Sequence, residues 1–369
     1  MSAATLALVT AGWLAGWLLA GRPARLRPAS PPAGVRVSVV VPARDESERL
    51  PRLLAALADA RPAPDEVIVV DDASTDGTGE VASAAGATVI RVERPAGWTG
   101  KAYACQRGAE AAHGDVLVFL DADVEPAPDG IASLTAAAVA GQGLVSALPV
   151  QRVERAYEHL SAGPGVVSLL GAGTGDTPGN RRWWRRGFAF GPALAVPADV
   201  YDRLGGHAAV RGAIAEDVAL AAVAERMRVP VRSLLGGRLV DYRMYPAGLR
   251  QLAEGWTKNL ASGGAATPPL RLAAVAVWVT ASLQAALSVG AAALDGDGTP
   301  LLPLGIYVLF AAQFLVLTRR IGRFHRATSA LFPVLIGAFV VLFAWSVVLT
   351  FGPGRVRWRG RLVDLRGAQ

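Results

Sequence analysis

Acidic residues stand at the ends of three apolar runs, and their spacing suggests nucleotide and metal chemistry. The first run, Val39-Val40-Val41-Pro42-Ala43, passes through Arg44 to Asp45 and Glu46. The second ends in Asp71-Asp72, followed by Ala73-Ser74-Thr75-Asp76-Gly77-Thr78. The third, Val116 to Leu120, ends in Asp121-Ala122-Asp123. Adjacent carboxylates repel, so Asp71-Asp72 is a poor packing choice. Asp72 can instead accept hydrogen bonds from a base or from ribose hydroxyls. Ser74 to Thr78 reads as a turn and helix cap, which makes Asp76 structural. On an extended segment, residues two apart point the same way, so Asp121 and Asp123 can face one cation. Mg²⁺ or Mn²⁺ would suit such oxygen ligands and would bridge to a diphosphate. An isolated Asp-x-Asp is commonplace; behind two other acidic strand ends it carries weight. Asp45 and Glu46 stand where a ligand would sit, although acids opening a helix also compensate its dipole.

Gly97-Trp98-Thr99-Gly100-Lys101 is a second candidate. Two glycines permit close backbone approach. A lysine opening a helix opposes the dipole unless it serves an anion, so Lys101 is a candidate donor-binding residue. The other reading is a glycine loop with a solvated lysine. Further on, Ala215-Glu216-Asp217 follows Gly205-Gly206-His207 and Arg211. A general base must be a carboxylate or a histidine within hydrogen-bond reach of its proton. Asp217 is the first candidate, with Glu216 and His207 next; His207 also fits a structural turn. Arg181-Arg182-Trp183-Trp184-Arg185-Arg186 suits a membrane headgroup zone, or a grip on a diphosphate.

The elements that must position these residues follow from periodicity. Val35–Val41, Val67–Asp71, Thr88–Val92 and Val116–Leu120 read as strands. Glu48–Ala60, Thr78–Ala85 and Lys101–Ala112 between them read as helices. That alternation predicts an α/β domain with a mostly parallel sheet covered on both faces, over residues 35–265. In such sheets ligands bind at the carboxyl ends of the strands.

Apolar segments flank the domain. Residues 3–20 are followed, not preceded, by Arg22, Arg25 and Arg27. This predicts an uncleaved anchor over residues 1–21 with its C-terminal side cytoplasmic. Leu272–Leu294, Leu301–Leu317 and Leu331–Phe351 predict three spans over residues 271–352, and a basic tail occupies residues 353–369. Arg319, Arg320, Arg323 and Arg326 place the loop before the last span in the cytoplasm. Three C-terminal spans put the tail, with Arg355, Arg357, Arg359 and Arg361, outside, against the same positive-inside bias. Either the tail is an exception or one segment is re-entrant.

Composition narrows the class. Of 369 residues, 52% are apolar, and the net charge of +7 is carried by arginines beside apolar runs. This favours a membrane surface over nucleic acid, for which there is no zinc-ligand pattern or recognition module. One cysteine, Cys105, excludes an intramolecular disulfide.

Taken in order, Val-Val-Pro-Ala-Arg-Asp-Glu, Val-Asp-Asp-Ala-Ser-Thr-Asp-Gly-Thr, Asp-Ala-Asp and Glu-Asp-Val-Ala-Leu resemble the marks of the GT-A family 2 glycosyltransferases, from Val37 to Gly263. Gly-Trp-Thr-Gly-Lys, Tyr-Asp-Arg-Leu-Gly-Gly-His and Glu-Gly-Trp-Thr-Lys-Asn are similar to the branch associated with carotenoid and hopanoid biosynthesis. The resemblance implies a Rossmann-like GT-A fold and an inverting transfer of one sugar. The donor would be a nucleotide-sugar, most often a UDP-sugar. The acceptor would be a lipid or terpenoid at the cytoplasmic face of a bacterial plasma membrane. It further implies that Asp45 and Asp72 hold the nucleotide and that Asp121 and Asp123 mark the metal and phosphate motif, with Asp123 the direct ligand. Asp217 would be the base. Processive members carry Gln-x-x-Arg-Trp; here Leu252-Ala253-Glu254-Gly255-Trp256 keeps only the tryptophan. Trp256 and Lys258 would then lie at the donor, with Lys258 supplying the cation near the diphosphate. The alternatives are a processive polysaccharide synthase, a non-catalytic nucleotide-sugar-binding membrane subunit, and a nucleotidyltransferase.

Overall fold

A computed structural model describes residues 1–173, 175–176, 188–294, 301–351, 355–358 and 361–364. The Arg/Trp cluster at 181–186 and the acidic turn at 295–298 lie outside these residues. The helices are α1 (Ala3–Ala20), α2 (Leu50–Ala58), α3 (Thr78–Ala84), α4 (Gly100–Ala111), α5 (Gly130–Gly141), α6 (Ala162–Ala172), α7 (Ala198–Arg203), α8 (Glu216–Arg226), α9 (Leu249–Ala266), α10 (Pro269–Leu294), α11 (Leu301–Ile321) and α12 (Phe332–Phe351). The strands are β1 (Val37–Ala43), β2 (Glu66–Asp72), β3 (Thr88–Val92), β4 (Val116–Leu120), β5 (Val124–Pro126), β6 (Leu144–Leu148), β7 (Val150–Gln151), β8 (Gly175–Asp176), β9 (Ala193–Pro197), β10 (Val231–Leu235), β11 (Val240–Tyr242), β12 (Arg355–Trp358) and β13 (Arg361–Asp364).

The main sheet has the order β3-β2-β1-β4-β9-β6-β10-β8. Pairings of β1 with β2 and β4, β2 with β3, and β6 with β10 are parallel; β9 and β8 run against their neighbours. A mostly parallel α/β sheet is therefore present, with two reversed strands that apolar periodicity does not reveal. Alternation along β1 builds both sides of the core. Val39 and Val41 face α2 and α5, where Leu50, Leu53 and Leu134 pack. Val40 faces the other way, toward Cys105 of α4 and Leu220 of α8. From β1 the chain proceeds outward to β2 and β3, whereas β4 lies on its opposite side. The carboxyl ends of β1 and β4 therefore flank a topological switch point, where open α/β sheets bind ligands.

Two local readings change. Helix α2 begins at Leu50, so Asp45 and Glu46 belong to the turn before it instead of opening it. Asp45 adopts φ 50°, and its N–H donates to Ser74 Oγ, an exchange between loops that competes with a helical start. Asp121-Ala122-Asp123 is likewise a turn, not an extended segment, closed by Val124 N–H on Asp121 O at 3.0 Å.

Four helices are long and apolar enough to cross a membrane: α1, α10, α11 and the stretch Phe332–Thr350 of α12. Helices α1 and α10 pack closely through small residues. A Cβ added at Gly12 would lie 2.1 Å from Ala281 Cβ, and one at Gly16 would lie 2.5 Å from the Trp278 ring. Polar groups inside this bundle are paired. Trp278 donates to Gln313 Oε1 at 2.8 Å, and Gln313 donates to Trp13 O at 2.8 Å. Fully buried Arg271 donates to Leu19 O and Leu170 O, at the C-terminal ends of α1 and α6. Those ends carry unsatisfied carbonyls and partial negative charge, which a guanidinium complements.

Candidate active site

The carboxyl ends of β1, β2 and β4 open into a cleft of about 1220 Å³. Asp72, Lys101, Asp121, Asp123, Glu216 and Asp217 all line it. These residues lie on four separate segments, brought together by the sheet's switch point and by the start of α8.

One end of the cleft is formed by β1 and β2. Arg44 Nη1 donates to Asp72 O at 2.8 Å and lies 3.6 Å from Asp72 Oδ2. Gly100 lets α4 approach this carboxylate, since a Cβ there would sit 2.4 Å from Asp72 Oδ2. Asp45 does not line the cleft. Its carboxylate accepts hydrogen bonds from the Thr75 N–H at 2.9 Å and the Thr75 hydroxyl at 3.3 Å. Arg44, Glu46 and Arg49 line the cleft beside it. Asp76 is structural: it accepts from Ser47 N–H and from Thr78. Burial works against its ionisation, but those hydrogen bonds hold it at about 2.

Lys101 stands at the centre of the acidic pole. Its Nζ is 2.8 Å from Asp121 Oδ1 and 2.9 Å from Glu216 Oε1. Burial opposes its charge, yet Asp121, Glu216 and Asp217 hold its pKa well above the usual lysine value. Glu216 is buried, which would raise its pKa, but Lys101 and then Lys258 hold it below the ordinary range. Asp217, one residue on, is raised to about 6 by burial and by the Glu216 charge beside it. Two neighbouring carboxylates thus part company: Glu216 is held ionised by lysines, whereas Asp217 is shifted toward neutral pH. Gly191 keeps the space before them open, because a Cβ there would lie 2.7 Å from Asp217 Oδ2 and 2.9 Å from Lys101 Nζ.

His207 is not in the cleft wall. Its ring is buried behind β4 against Phe119 and shares a 2.8 Å hydrogen bond with the Tyr201 hydroxyl. Burial lowers its pKa to about 4. Trp256 and Lys258, on α9, both line the cleft. The only N–H of the Trp256 side chain is used on Ser161 Oγ at 3.1 Å, and its ring packs edge-on against Tyr245. Burial pushes the Lys258 ammonium down, with Glu216 opposing.

Among the described residues no group of three or more His, Cys, Asp or Glu could enclose a metal. Two carboxylates close in sequence, Asp121 and Asp123, both line the cleft. This fits Mg²⁺ or Mn²⁺, which take one or two carboxylates and complete their shell with water and substrate phosphate oxygens.

Sequence reasoning missed Arg44, Arg49 and the Phe190-Gly191-Pro192 loop. The two arginines carry no spacing signal of their own. Gly-Pro marks a turn, but only the fold brings that turn against Asp217.

The glycosyl transferase family 2 pattern matches residues 38–218. The chain is 31% identical over 338 residues to a 4,4'-diaponeurosporenoate glycosyltransferase of Staphylococcus aureus strain USA300, covering 90% of this chain and 89% of that one. The counterpart from strain MRSA252 is 32% identical over the same length. In fold, the chain is similar to the mannosyltransferase PcManGT of Pyrobaculum calidifontis, solved in complex with GDP-Man and Mn²⁺. The TM-score is 0.54 at 21% identity, covering 93% of this chain and 96% of that one. The acidic strand ends, the Glu-Asp helix and this relationship along nearly the whole length lead to one conclusion: the chain is a glycosyltransferase and belongs to glycosyl transferase family 2.

Proposed function

We propose that the protein is an inverting glycosyltransferase that moves a single sugar from a nucleotide-sugar, most often a UDP-sugar in such enzymes, to a lipid-like acceptor of terpenoid character. It does so at the cytoplasmic face of a membrane that its apolar helices enter. One observation carries this reading. The same cleft that holds Asp121 and Asp217 continues between α10 and α12, where its walls are Leu272, Val279, Leu283, Phe339 and Phe343. A polar pole joined to a long apolar limb suits an acceptor with a polar end and a hydrocarbon body. The names of the Staphylococcus relatives point the same way.

In this mechanism the nucleotide rests against Asp72 and Arg44. The acceptor oxygen attacks the anomeric carbon as the bond to the diphosphate breaks, in one displacement with inversion. Asp217 takes the acceptor's proton. Lys101 and Lys258, which both line the cleft, would offset charge on the departing diphosphate. Asp121 and Asp123 would hold Mg²⁺ or Mn²⁺, which when bound neutralises phosphate charge.

The test is Asp217→Asn, which keeps shape and removes basicity. Transfer to lipid extract, read by mass spectrometry, should fall by ~10²–10⁴-fold. Nucleotide binding, read by calorimetry on the same preparation, should persist. Loss of both would make Asp217 a donor or structural residue. Unchanged transfer would pass the base role to Glu216.

A further inference from the structure

The apolar limb is built as a straight rail. Its α10 wall consists of Leu272, Val275, Ala276, Val279, Thr280 and Leu283. These positions recur at three- and four-residue steps, so they form one stripe along the helix. At 1.5 Å per residue the stripe is ~16 Å long. Opposite it, Phe339 and Phe343 of α12 stack with ring centres 5.7 Å apart and planes 27° from parallel.

Helix α9 contributes Gly263 and Gly264. Two successive glycines inside a helix each cost ~1 kcal/mol relative to alanine, and neither is needed for a turn here. What they provide is width. A Cβ at Gly263 would meet nothing within 4 Å, and one at Gly264 would meet the Phe343 ring at 3.3 Å. The limb also has an open flank. Leu272 is 40% exposed and Val340 38% exposed although both line it, and Ala276 and Thr280 are exposed as well. In a membrane that α10 and α12 enter, this mostly apolar flank would face hydrocarbon.

We infer that the slot between α10 and α12 is the binding site for the acceptor's hydrocarbon chain, which slides in sideways from the bilayer and lies along α10 with its polar end at Asp217. This rests on the lipid-acceptor reading above. It adds a chain-length rule: affinity rises with each unit buried along the rail and levels off once ~16 Å is filled.

The probes are isopentenol, geraniol, farnesol and geranylgeraniol, with the full-length protein in nanodiscs and UDP-glucose, UDP-galactose and GDP-mannose offered as donors. For the wild type, kcat/KM should climb about tenfold or more per buried prenyl unit before levelling. Ala276→Trp and Gly263→Phe fill the rail from opposite walls. Each should lower transfer to geranylgeraniol at least tenfold while leaving nucleotide binding within twofold. A flat chain-length series in the wild type overturns the slot assignment even if a variant fails to fold. So does unchanged geranylgeraniol transfer in both folded variants. Glycosylation confined to water-soluble acceptors, with none of the prenols or extracted lipids used, would instead overturn the lipid-acceptor reading itself.

Discussion

At Asp217, burial and the neighbouring Glu216 charge have two consequences of opposite sign. A carboxyl raised to about 6 is a stronger base than an ordinary aspartate, yet still ionised at neutral pH. Transfer should therefore fall about tenfold per pH unit below 6, as the base is protonated. The same shift works against the fold. The folded protein holds the proton more tightly than the unfolded chain, whose aspartate titrates near 3.8. Stability falls as pH rises from that value to about 6, and the full penalty persists above. Glu216, Lys101, Asp121 and Lys258 are the charged groups facing Asp217 across this pole. Asp217→Asn should raise Tm at pH 7.5 by a few degrees in the absence of donor, on the order of 1 kcal/mol. At pH 4 it should leave Tm unchanged. A lower Tm at pH 7.5, by scanning fluorimetry, would mean the side chain is structurally favourable as an anion. This division of roles between Glu216 and Asp217 was only half legible in the sequence. The pair was visible; that Lys101 reaches across from α4 to claim Glu216 depends on a contact over more than a hundred residues.

Elements position what residues supply, and the start of α4 shows how tightly. Parallel pairing sets Ala43 opposite Asp71, which brings Asp72 to the mouth of the cleft. Helix α4 then meets it end-on, with Gly100 in contact and Lys101 one step further in. Gly100→Ala would press a methyl to within 2.4 Å of Asp72 Oδ2, so the carboxylate must turn away or the helix must shift. The expected result is a five- to fiftyfold higher KM for the nucleotide-sugar, ~1–2 kcal/mol, from strain at one contact. The apolar core should keep Tm within a few degrees. Unchanged KM, measured by donor hydrolysis, would show that Asp72 is not at the nucleotide. The strands and helices of this half follow from period-two and helical apolar patterns, and their limits agree with expectation within two or three residues at most ends. The reversed strand β9 was not legible, because its direction is set by pairing with β4 and β6; nor were the turn at Asp45, set by hydrogen bonds with the distant Ser74–Thr75 loop, and the local turn at Asp123, for which Asp-Ala-Asp carries no turn signal.

At the scale of the whole molecule, charge and packing together lead to a testable orientation. Both basic segments touch the catalytic domain. After α1, Leu26 N–H donates to Leu235 O at 2.9 Å. After α11, Arg323 pairs with Asp241, and its N–H donates to Gln151 O. Arginine-rich loops favour the cytoplasm, so a domain on that side is the expected outcome. The parity conflict then turns on α12. Just before it starts, Thr328 shares a hydrogen bond with His159 of the domain. Near its end, Ser346 Oγ donates to Thr257 O of α9, and β12 beyond it lies against the same helix. An α12 that leaves the domain to cross a bilayer would separate these ends by ~30 Å along the membrane normal. Both ends instead touch it, at His159 and at Thr257 of α9, as they would if this unbroken helix lay along the domain without crossing. The expected topology is therefore two crossings after the domain, by α10 and α11, with the basic tail back on the domain's side. Fusions of alkaline phosphatase and of green fluorescent protein test this. Joined after residue 140 or after residue 369, fluorescence should appear and phosphatase activity should not. Joined after Leu294, the pattern should reverse. Phosphatase activity at the C-terminus with fluorescence at residue 140 would make α12 a full crossing and the arginine tail an exception to the charge rule. Phosphatase activity at residue 140 would place the whole catalytic domain on the other face, away from nucleotide-sugars.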